Sequence, residues 1–245
     1  VLNAGDGLLL GESIRKISDE TIYALVETES EKKLLYEMYD ELSQGIKPHI
    51  VVDNSWNPES FKIDKLFFDR IVGRNILCDN NDKVAFLKTL SKWISAEGSI
   101  ILTENVPSLG QRLSDFIPQD YLDSELREKL IAAEDNIYNN HHNPRCNWTP
   151  ESLKVQIEEE KLVVDYWNVK EFSTPVMIRK EHVKKWFKVK TEKQFTGYLH
   201  ELSSFISMDE LQVLNDFFLK KVAGKVVKWR SVCLFMRLVF NVRDE

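Results

Sequence analysis

Cysteine is scarce in this sequence of 245 residues. Cys78, Cys146 and Cys233 are far apart, and no Cys-x-x-Cys pair is present. An odd and sparse set of cysteines without a secretory signal does not fit a disulfide-stabilised secreted domain. We therefore expect the chain to work in a reducing compartment, the cytoplasm.

Long apolar runs are also missing. No stretch is long and apolar enough to suggest a membrane span, although 43% of the residues are hydrophobic and 29% are charged. This length and composition fit one domain with an elaboration and a substantial core. We expect a soluble protein with no membrane partner.

Glycine is sparse too, but two of the nine glycines stand together near the start. The first ten residues, VLNAGDGLLL, place Gly5 and Gly7 between an apolar strand and a second apolar segment. A strand, a Gly-x-Gly turn and a helix start form a cradle for a polar ligand, because glycine lets the backbone come close. A second apolar strand, Thr21 to Glu27, then ends in a carboxylate at the spacing where α/β nucleotide sites bind ribose. Together these features indicate an adenosine-type ligand.

The third glycine, which would separate two kinds of adenosine ligand, is absent. A dinucleotide fingerprint requires glycine at position 10, and the S-adenosylmethionine (SAM) pattern requires glycine at position 9. Leucine stands at both positions. The glycines alone therefore do not decide whether the ligand is a nicotinamide dinucleotide or SAM.

The order of the following segments favours SAM. Two more strands are predicted at Pro48 to Asp53 and Phe67 to Asn75, followed by a helix from Lys83 to Ile94 and a strand from Ser99 to Glu104. Over roughly its first half, the chain resembles class I SAM-dependent methyltransferases. A dinucleotide dehydrogenase would show a second nucleotide-binding half, which we do not find.

The resemblance implies a Rossmann-like α/β fold: a three-layer sandwich with a mostly parallel sheet, an antiparallel C-terminal strand and a helical insertion. It implies a SAM-binding core at residues 1–117 and a helical lid or insertion at 118–150. Residues 151–245 would supply C-terminal strands and helices that complete the sheet.

The resemblance also implies the site residues. SAM would be the cofactor, with Gly5 and Gly7 at its methionine moiety and Asn3 where the family carries an acid. Glu27 would bind the ribose hydroxyls and Asp53 the adenine edge, beside Trp56. The methyl acceptor stays open, and few residues need a direct chemical role because SAM is already activated. The candidates for such a role, all predicted near carboxyl ends of strands, are Asp69, Arg74, Asn75 and Glu104.

Several positions depart from the family pattern. Asn3 replaces the usual acid and Leu9 the last glycine, and no Asn-Pro-Pro-aromatic motif or Pro-Cys nucleophile suggests base methylation. A non-catalytic relative with the same fold is therefore an alternative to an enzyme.

A closer resemblance concerns a fused protein. The runs GRNIL and TENVPSLGQRLS, together with the late basic and aromatic segments, are similar to the methyltransferase-like domain behind the AAA+ ATPase of cyanobacterial replication-associated recombination proteins. This resemblance implies a role in DNA recombination and a chain fused to an ATPase. Val1 already lies in an apolar strand, so we expect further residues before it.

Basic residues concentrate late in the chain. Residues 1–120 hold 13 Lys and Arg and 20 Asp and Glu, whereas residues 121–245 hold 20 and 19. Two basic runs, Arg179 to Lys193 and Lys220 to Arg230, include tryptophan and could bind nucleic acid. The helical spacing of Val183, Trp186 and Phe187 favours a simpler interpretation, in which these side chains face the core and the lysines face water.

The second half has its own predicted order. Helices are expected at Asp123 to Tyr138, from Thr149, and at Ser207 to Val222, where Ser207 and Glu210 have capping-box spacing. Between the first two helices, His141, His142 and Cys146 lie in a loop with no fourth metal ligand, so we expect a polar loop and no metal site. Two paired strands, Leu162 to Val169 and Pro175 to Arg179, and a last strand, Val226 to Phe240, complete the order.

Overall fold

A computed structural model describes residues 1–17, 20–40, 47–62, 66–188 and 198–240. Residues 189–193 of the first basic run therefore lie outside the described residues. The described helices are α1 (Leu8–Lys16), α2 (Glu29–Tyr39), α3 (Lys83–Ser91), α4 (Ser124–Tyr138), α5 (Pro150–Glu159), α6 (Lys180–Trp186), α7 (Tyr198–Leu202) and α8 (Met208–Phe217). The described strands are β1 (Tyr23–Val26), β2 (His49–Val52), β3 (Phe68–Arg74), β4 (Ile94–Asn105), β5 (Val163–Met177) and β6 (Val226–Val239).

The chain divides into two compact units. Unit 1 contains Val1–Asn105, Trp148–Lys170 and Cys233–Glu245, and unit 2 contains Val106–Asn147 and Glu171–Val232. The functional division at residues 117 and 150, with a lid between them, stays a prediction.

Parallel strands form most of the sheet in unit 1. β1 pairs with β2 in parallel, and β3 pairs with β4 in parallel. The first residues of the chain lie between these pairs, because the Ala4 N–H donates to the Leu25 carbonyl at 3.0 Å and the Leu2 N–H donates to the Val72 carbonyl at 2.7 Å. On the far side of β4, β6 runs antiparallel, followed by β5 in the sheet order. This arrangement confirms the predicted mostly parallel α/β sheet with an antiparallel C-terminal strand.

Two strand predictions were wrong in their bounds. β4 begins at Ile94 and passes through Gly98, because the pairing with β3 shifts register between Phe68 and Arg70. A Cβ at Gly98 would come within 3.0 Å of the Asp69 carbonyl oxygen, so only glycine fits the strand there. β5 is one continuous strand, not two paired strands, since Lys170 to Thr174 contains no glycine, asparagine or aspartate to form a tight turn.

The predicted helix starts are confirmed by their caps. The Asp123 side chain accepts from the Leu126 N–H, and Thr149 shares reciprocal hydrogen bonds with Ser152. Ser207 and Glu210 form the predicted capping box at the start of α8, and the helix continues as a π turn over Phe218–Val222.

Unit 2 has a core of its own, built from α4, α7 and α8. Leu130, Leu202 and Leu214 are buried there, and Val183 of α6 is fully buried in the same cluster. Trp186 and Phe187 pack against it. The interpretation that these aromatic residues face the core is therefore confirmed. No helix among the described residues is both long and apolar enough to cross a membrane.

Two glycines with positive φ offer a matched test of crowding. Gly7 has φ 74° and Gly224 has φ 83°, so alanine at either position is strained by about 1–2 kcal/mol. A Cβ at Gly7 would also lie 3.2 Å from Leu35 and 3.1 Å from Met38, whereas nothing lies within 4 Å of one at Gly224. We expect Gly7→Ala to lower the free energy of unfolding more than Gly224→Ala in urea titrations. Equal losses would show that Leu35 and Met38 do not crowd this position.

Candidate functional site

The carboxyl ends of neighbouring parallel strands in unit 1 bring most of the predicted site residues to one edge of the sheet. The first strand segment leads into the glycine turn, residues 4–7, while Glu27 follows β1 and Asp53 follows β2. Arg74 ends β3, and Asn75 comes next. Open α/β sheets bind their ligands at this edge, so the geometry identifies it as the candidate site.

The glycine turn is closed by its own backbone and by α2. The Gly7 N–H donates to the Ala4 carbonyl at 2.8 Å, and Gly7 caps the start of α1 in a left-handed conformation. The Tyr39 hydroxyl donates to the Gly7 carbonyl at 2.9 Å. Because these contacts hold the turn, the path of its backbone is set without a ligand.

Glu31 is a residue of this site that the sequence analysis missed. It lies in the first turn of α2, and its Oε2 atom accepts from the N–H groups of Glu27 and Thr28, both at 2.9 Å. Its Oε1 atom lies where a Cβ on Gly5 would come within 2.5 Å. A side chain at position 5 would therefore displace the end of the Glu31 side chain from its present place. The capping-box spacing of Thr28 and Glu31 was the available signal.

The two carboxylates at this edge differ in their surroundings. Glu27 is exposed and offers its backbone N–H to Glu31. Among the described residues, the Glu31 Oε1 atom has no hydrogen-bond donor, although two N–H groups hold the other oxygen of the same carboxylate. The site therefore has one exposed and one fixed carboxylate, and the fixed one faces the glycine turn.

Asn3 and Arg74 tie the glycine turn to the end of β3. The Asn3 side chain donates to the Arg74 carbonyl at 2.8 Å, and Arg74 forms an ion pair with Asp6 at 3.1 Å. An ionised aspartate at position 3 has no N–H for that carbonyl, and asparagine tolerates the observed φ of 54° well. These contacts favour asparagine over an ionised aspartate at position 3.

Asn75 connects β3 to β4 beside Arg74. It also has φ 54°, its N–H donates to the Thr103 carbonyl at 2.9 Å, and its side-chain oxygen accepts from the Asn105 N–H at 2.9 Å. The Cys233 thiol donates to the Asn105 side chain at 3.2 Å. Burial raises the pKa of this thiol, which disfavours a thiolate nucleophile.

Glu104, a predicted catalytic residue, is completely buried. Its carboxylate accepts from the Ile76 N–H at 2.9 Å and the Leu77 N–H at 3.2 Å. Burial raises its pKa to about 8, although these N–H groups, the buried Lys83 ammonium and the Cys78 thiol oppose the shift. Glu104 thus holds the chain that follows β3, and its catalytic role stays a prediction.

Asp53 keeps its carboxylate within its own turn. One oxygen accepts from the Ser55 N–H at 2.7 Å and from its hydroxyl at 2.6 Å, and the other accepts from the Ser60 hydroxyl at 2.6 Å. Burial alone would raise the pKa of Asp53, but these hydrogen bonds outweigh burial and lower it. Trp56 is buried beside this turn, with only 6% of its surface exposed.

Asp69 lies far from the other candidates. It is the second residue of β3, so it stands at the amino end of the strand, and Arg74 comes five residues later. That spacing corresponds to about 16 Å along a strand. Its carboxylate accepts from the Ser95 hydroxyl at 2.9 Å. The expectation that Asp69 lies at a carboxyl end was wrong, because the strand continues beyond it.

The described parts of the chain contain no group of three or more His, Cys, Asp or Glu residues arranged to hold a metal ion. His141 and His142 are exposed, and Cys146 is buried.

The chain matches known proteins by structure and not by sequence. No protein-family model and no curated protein matches it. A candidate methyltransferase from Bacillus halodurans C-125 aligns with a TM-score of 0.54 at 12% identity, over 98% of this chain and 90% of that chain. The YcgJ protein of Bacillus subtilis aligns with a TM-score of 0.50 at 11% identity, over 98% and 90% of the two chains.

A third match is the plantazolicin methyltransferase BpumL, solved with S-adenosylhomocysteine (SAH). It aligns with a TM-score of 0.44 at 13% identity, over 98% of this chain and 75% of that chain, which is too distant to bear on the cofactor here. At identities this low, the two nearer matches bear on the fold alone. The chain has the mixed α/β, Rossmann-like fold of class I methyltransferases.

Proposed function

We propose that the chain is a SAM-dependent methyltransferase whose cofactor lies along the carboxyl edge of the parallel strands. The observation that supports this most is the shared edge of the glycine turn, the Glu27 carboxylate and the end of β3. Strand pairing in unit 1 brings these three features together within a methyltransferase-type sheet. The methyl acceptor stays open.

The residues of this edge fit the cofactor in chemistry. Glu27 is exposed and can accept from a ribose hydroxyl, and the Oε1 atom of Glu31 presents a second acceptor beside Gly5. The hydroxyl groups of Ser55 and Ser60 donate to the Asp53 carboxylate and fix the chain that follows it. This segment can border the adenine. SAM, when bound, supplies an electrophilic methyl group.

The acceptor would be positioned at the end of β3. Arg74 is half exposed and can orient an anionic or polar acceptor, and Asn75 holds the backbone beside it through Thr103 and Asn105. The proposed catalytic contribution of these residues is alignment of the acceptor with the methyl group, which can account for much of the rate of such a reaction.

The cofactor proposal predicts a loss of SAH affinity in Glu27→Gln. The substitution keeps the size of the side chain but removes a charged hydrogen-bond acceptor, which is worth about 1.5–3 kcal/mol, or roughly 10-fold to 100-fold in affinity. Isothermal titration calorimetry with SAH measures the change. Glu29→Gln, on the exposed first turn of α2, is the matched control and should bind as the parent chain does. Equal affinities in Glu27→Gln and the parent chain would remove Glu27 from the site.

Two observations favour a second function, that of a non-catalytic methyltransferase-fold module. The Glu31 side chain occupies the space beside Gly5, and Leu9 stands in place of the last motif glycine. In this proposal, the chain is part of a recombination ATPase and contacts DNA or protein. The proposed fusion of this chain to an ATPase rests on the sequence resemblance. The proposed cytoplasmic location rests on the cysteine pattern.

DNA binding separates the two functions. In unit 2, Lys184 and Lys185 lie in the last turn of α6, with Lys188 shortly after. If this module binds DNA, fluorescence anisotropy with a labelled duplex should show an affinity that falls with salt and with charge reversal of the three lysines. Charge reversal of Lys32 and Lys33 on α2 is the control, and it should leave the DNA affinity unchanged. Binding that is absent or independent of salt would count against the module.

A further inference from the structure

Unit 2 contains a cavity of about 450 Å³. Residues 112–119 form one wall, and one face of α4 forms the other, where Arg127, Ile131 and Glu134 follow each other at helical spacing. Small-molecule sites in proteins commonly have volumes of roughly 300–1,000 Å³. The cavity is therefore large enough for a small organic ligand.

Glu134 holds the two walls together. This residue is 2% exposed, and its Oε1 atom accepts from the Leu113 N–H at 2.9 Å and the Tyr198 hydroxyl at 2.8 Å. The Ser114 hydroxyl donates to Oε2 of the same carboxylate. Because these donors saturate it, Glu134 is a structural part of the cavity wall and not a free carboxylate.

Arg112 is also satisfied by its neighbours. Its guanidinium lies 4.0 Å from the centre of the Tyr138 ring and donates to the Glu134 carbonyl at 2.9 Å. It also forms an ion pair with Asp135 at 3.5 Å. The positive charge of Arg112 is thus compensated within unit 2.

Arg127 is different, because its charge is left without a partner. One terminal nitrogen donates to the carbonyl groups of Ile117 and Pro118, which fixes the guanidinium in place. Its Nε atom is buried and has no hydrogen-bond acceptor, and no carboxylate among the described residues lies within ion-pair distance of it. An oxyanion is the acceptor that guanidinium groups prefer, so a cavity-lining guanidinium without a carboxylate partner can pair with an anionic ligand.

We propose that this cavity binds a small molecule through an oxyanion group, carboxylate or phosphate, which pairs with the positively charged guanidinium of Arg127. The Gln119 side-chain amide offers a further polar contact, and Ile117 and Ile131 contact the apolar part of the ligand. This site lies entirely in unit 2, so the proposal does not depend on the methyltransferase proposal for unit 1.

The test follows the Nε–Hε signals of arginine by NMR in the full chain labelled with ¹⁵N-arginine. Glutarate and inorganic phosphate are titrated separately at constant ionic strength. We expect one signal, which is missing from the Arg127→Lys spectrum, to shift and saturate. A response to glutarate assigns a carboxylate ligand, and a response to phosphate assigns a phosphate ligand.

Arg15→Lys is the matched control, because Arg15 is exposed and already paired with Glu12. The shift of the Arg127 signal should persist in this variant. If Arg127→Lys does not fold, nuclear Overhauser effects to the methyl groups of Ile117 and Ile131 assign the signal in the parent chain. An Arg127 signal that neither probe moves, or that moves without saturation in parallel with Arg15, would overturn the proposal.

Discussion

The free energy of unfolding should fall as the pH rises from about 4.5 to about 8, because Glu104 holds its proton more tightly in the folded chain. Burial raises the pKa of Glu104 from 4.5 to about 8, so the folded state binds more protons than the unfolded state between these values. Its contribution to stability is fully present below pH 4.5, is lost through the window and stays lost above pH 8. The predicted slope is about 1.4 kcal/mol per pH unit, which amounts to up to about 5 kcal/mol.

Glu104→Gln should remove this slope, because glutamine does not titrate. Urea unfolding of the variant and the parent chain from pH 5 to pH 9 gives the difference between them, in which other titrating groups cancel. Glu97→Gln, on an exposed position of β4, is the matched control and should keep the parent slope. If the slopes of Glu104→Gln and the parent chain agree throughout this range, the buried Glu104 does not carry the extra proton.

Glu134→Ala should destabilise the chain by about 3 kcal/mol or more, since it leaves several buried donors without an acceptor. The Leu113 N–H, the Ser114 hydroxyl and the Tyr198 hydroxyl all donate to this carboxylate. Burial keeps the pKa of Tyr198 well above its usual value, so the phenol retains its proton and needs an acceptor.

Urea titration followed by circular dichroism measures this loss. Glu134→Gln keeps one acceptor oxygen and should lose less stability than Glu134→Ala. Asp135→Asn, at the next position of α4, changes an exposed side chain and should stay within about 0.5 kcal/mol of the parent chain. A Glu134→Ala chain as stable as Asp135→Asn would show that the carboxylate does not hold the walls of the cavity.

The sequence predicted the parallel part of the fold well because its signals are local. Short apolar segments mark the strands that end near Glu27 and Asp53, and the capping residues Asp123, Thr149 and Ser207 mark helix starts. Pairing between distant strands could not be predicted in the same way. The strand predicted from Ser99 left Gly98 outside, whereas β4 begins at Ile94 and passes Gly98 in close contact with Asp69 on β3. The placement of Asp69 was wrong for another reason, because the predicted strand, Phe67 to Asn75, nearly matches β3 and Asp69 lies near its amino end.

The candidate site was predictable in its location and less so in its contacts. A glycine pair and a following acid indicate a ligand edge, and strand pairing places Gly5 and Glu27 at one edge. The same glycine also satisfies a packing need, because Glu31 from α2 occupies the space beside it. Periodicity likewise cannot show that Glu104 is buried against Ile76 and Leu77, since a polar residue at a strand end is usually exposed.

The most direct test of the central proposal is calorimetric titration of the purified chain with SAM and SAH, with NAD as a control. A working cofactor site predicts micromolar binding of SAM and SAH and no binding of NAD. If the chain unfolds cooperatively but binds neither SAM nor SAH, the result would contradict the methyltransferase proposal and favour the non-catalytic module. Binding of NAD alone would point to a nicotinamide enzyme.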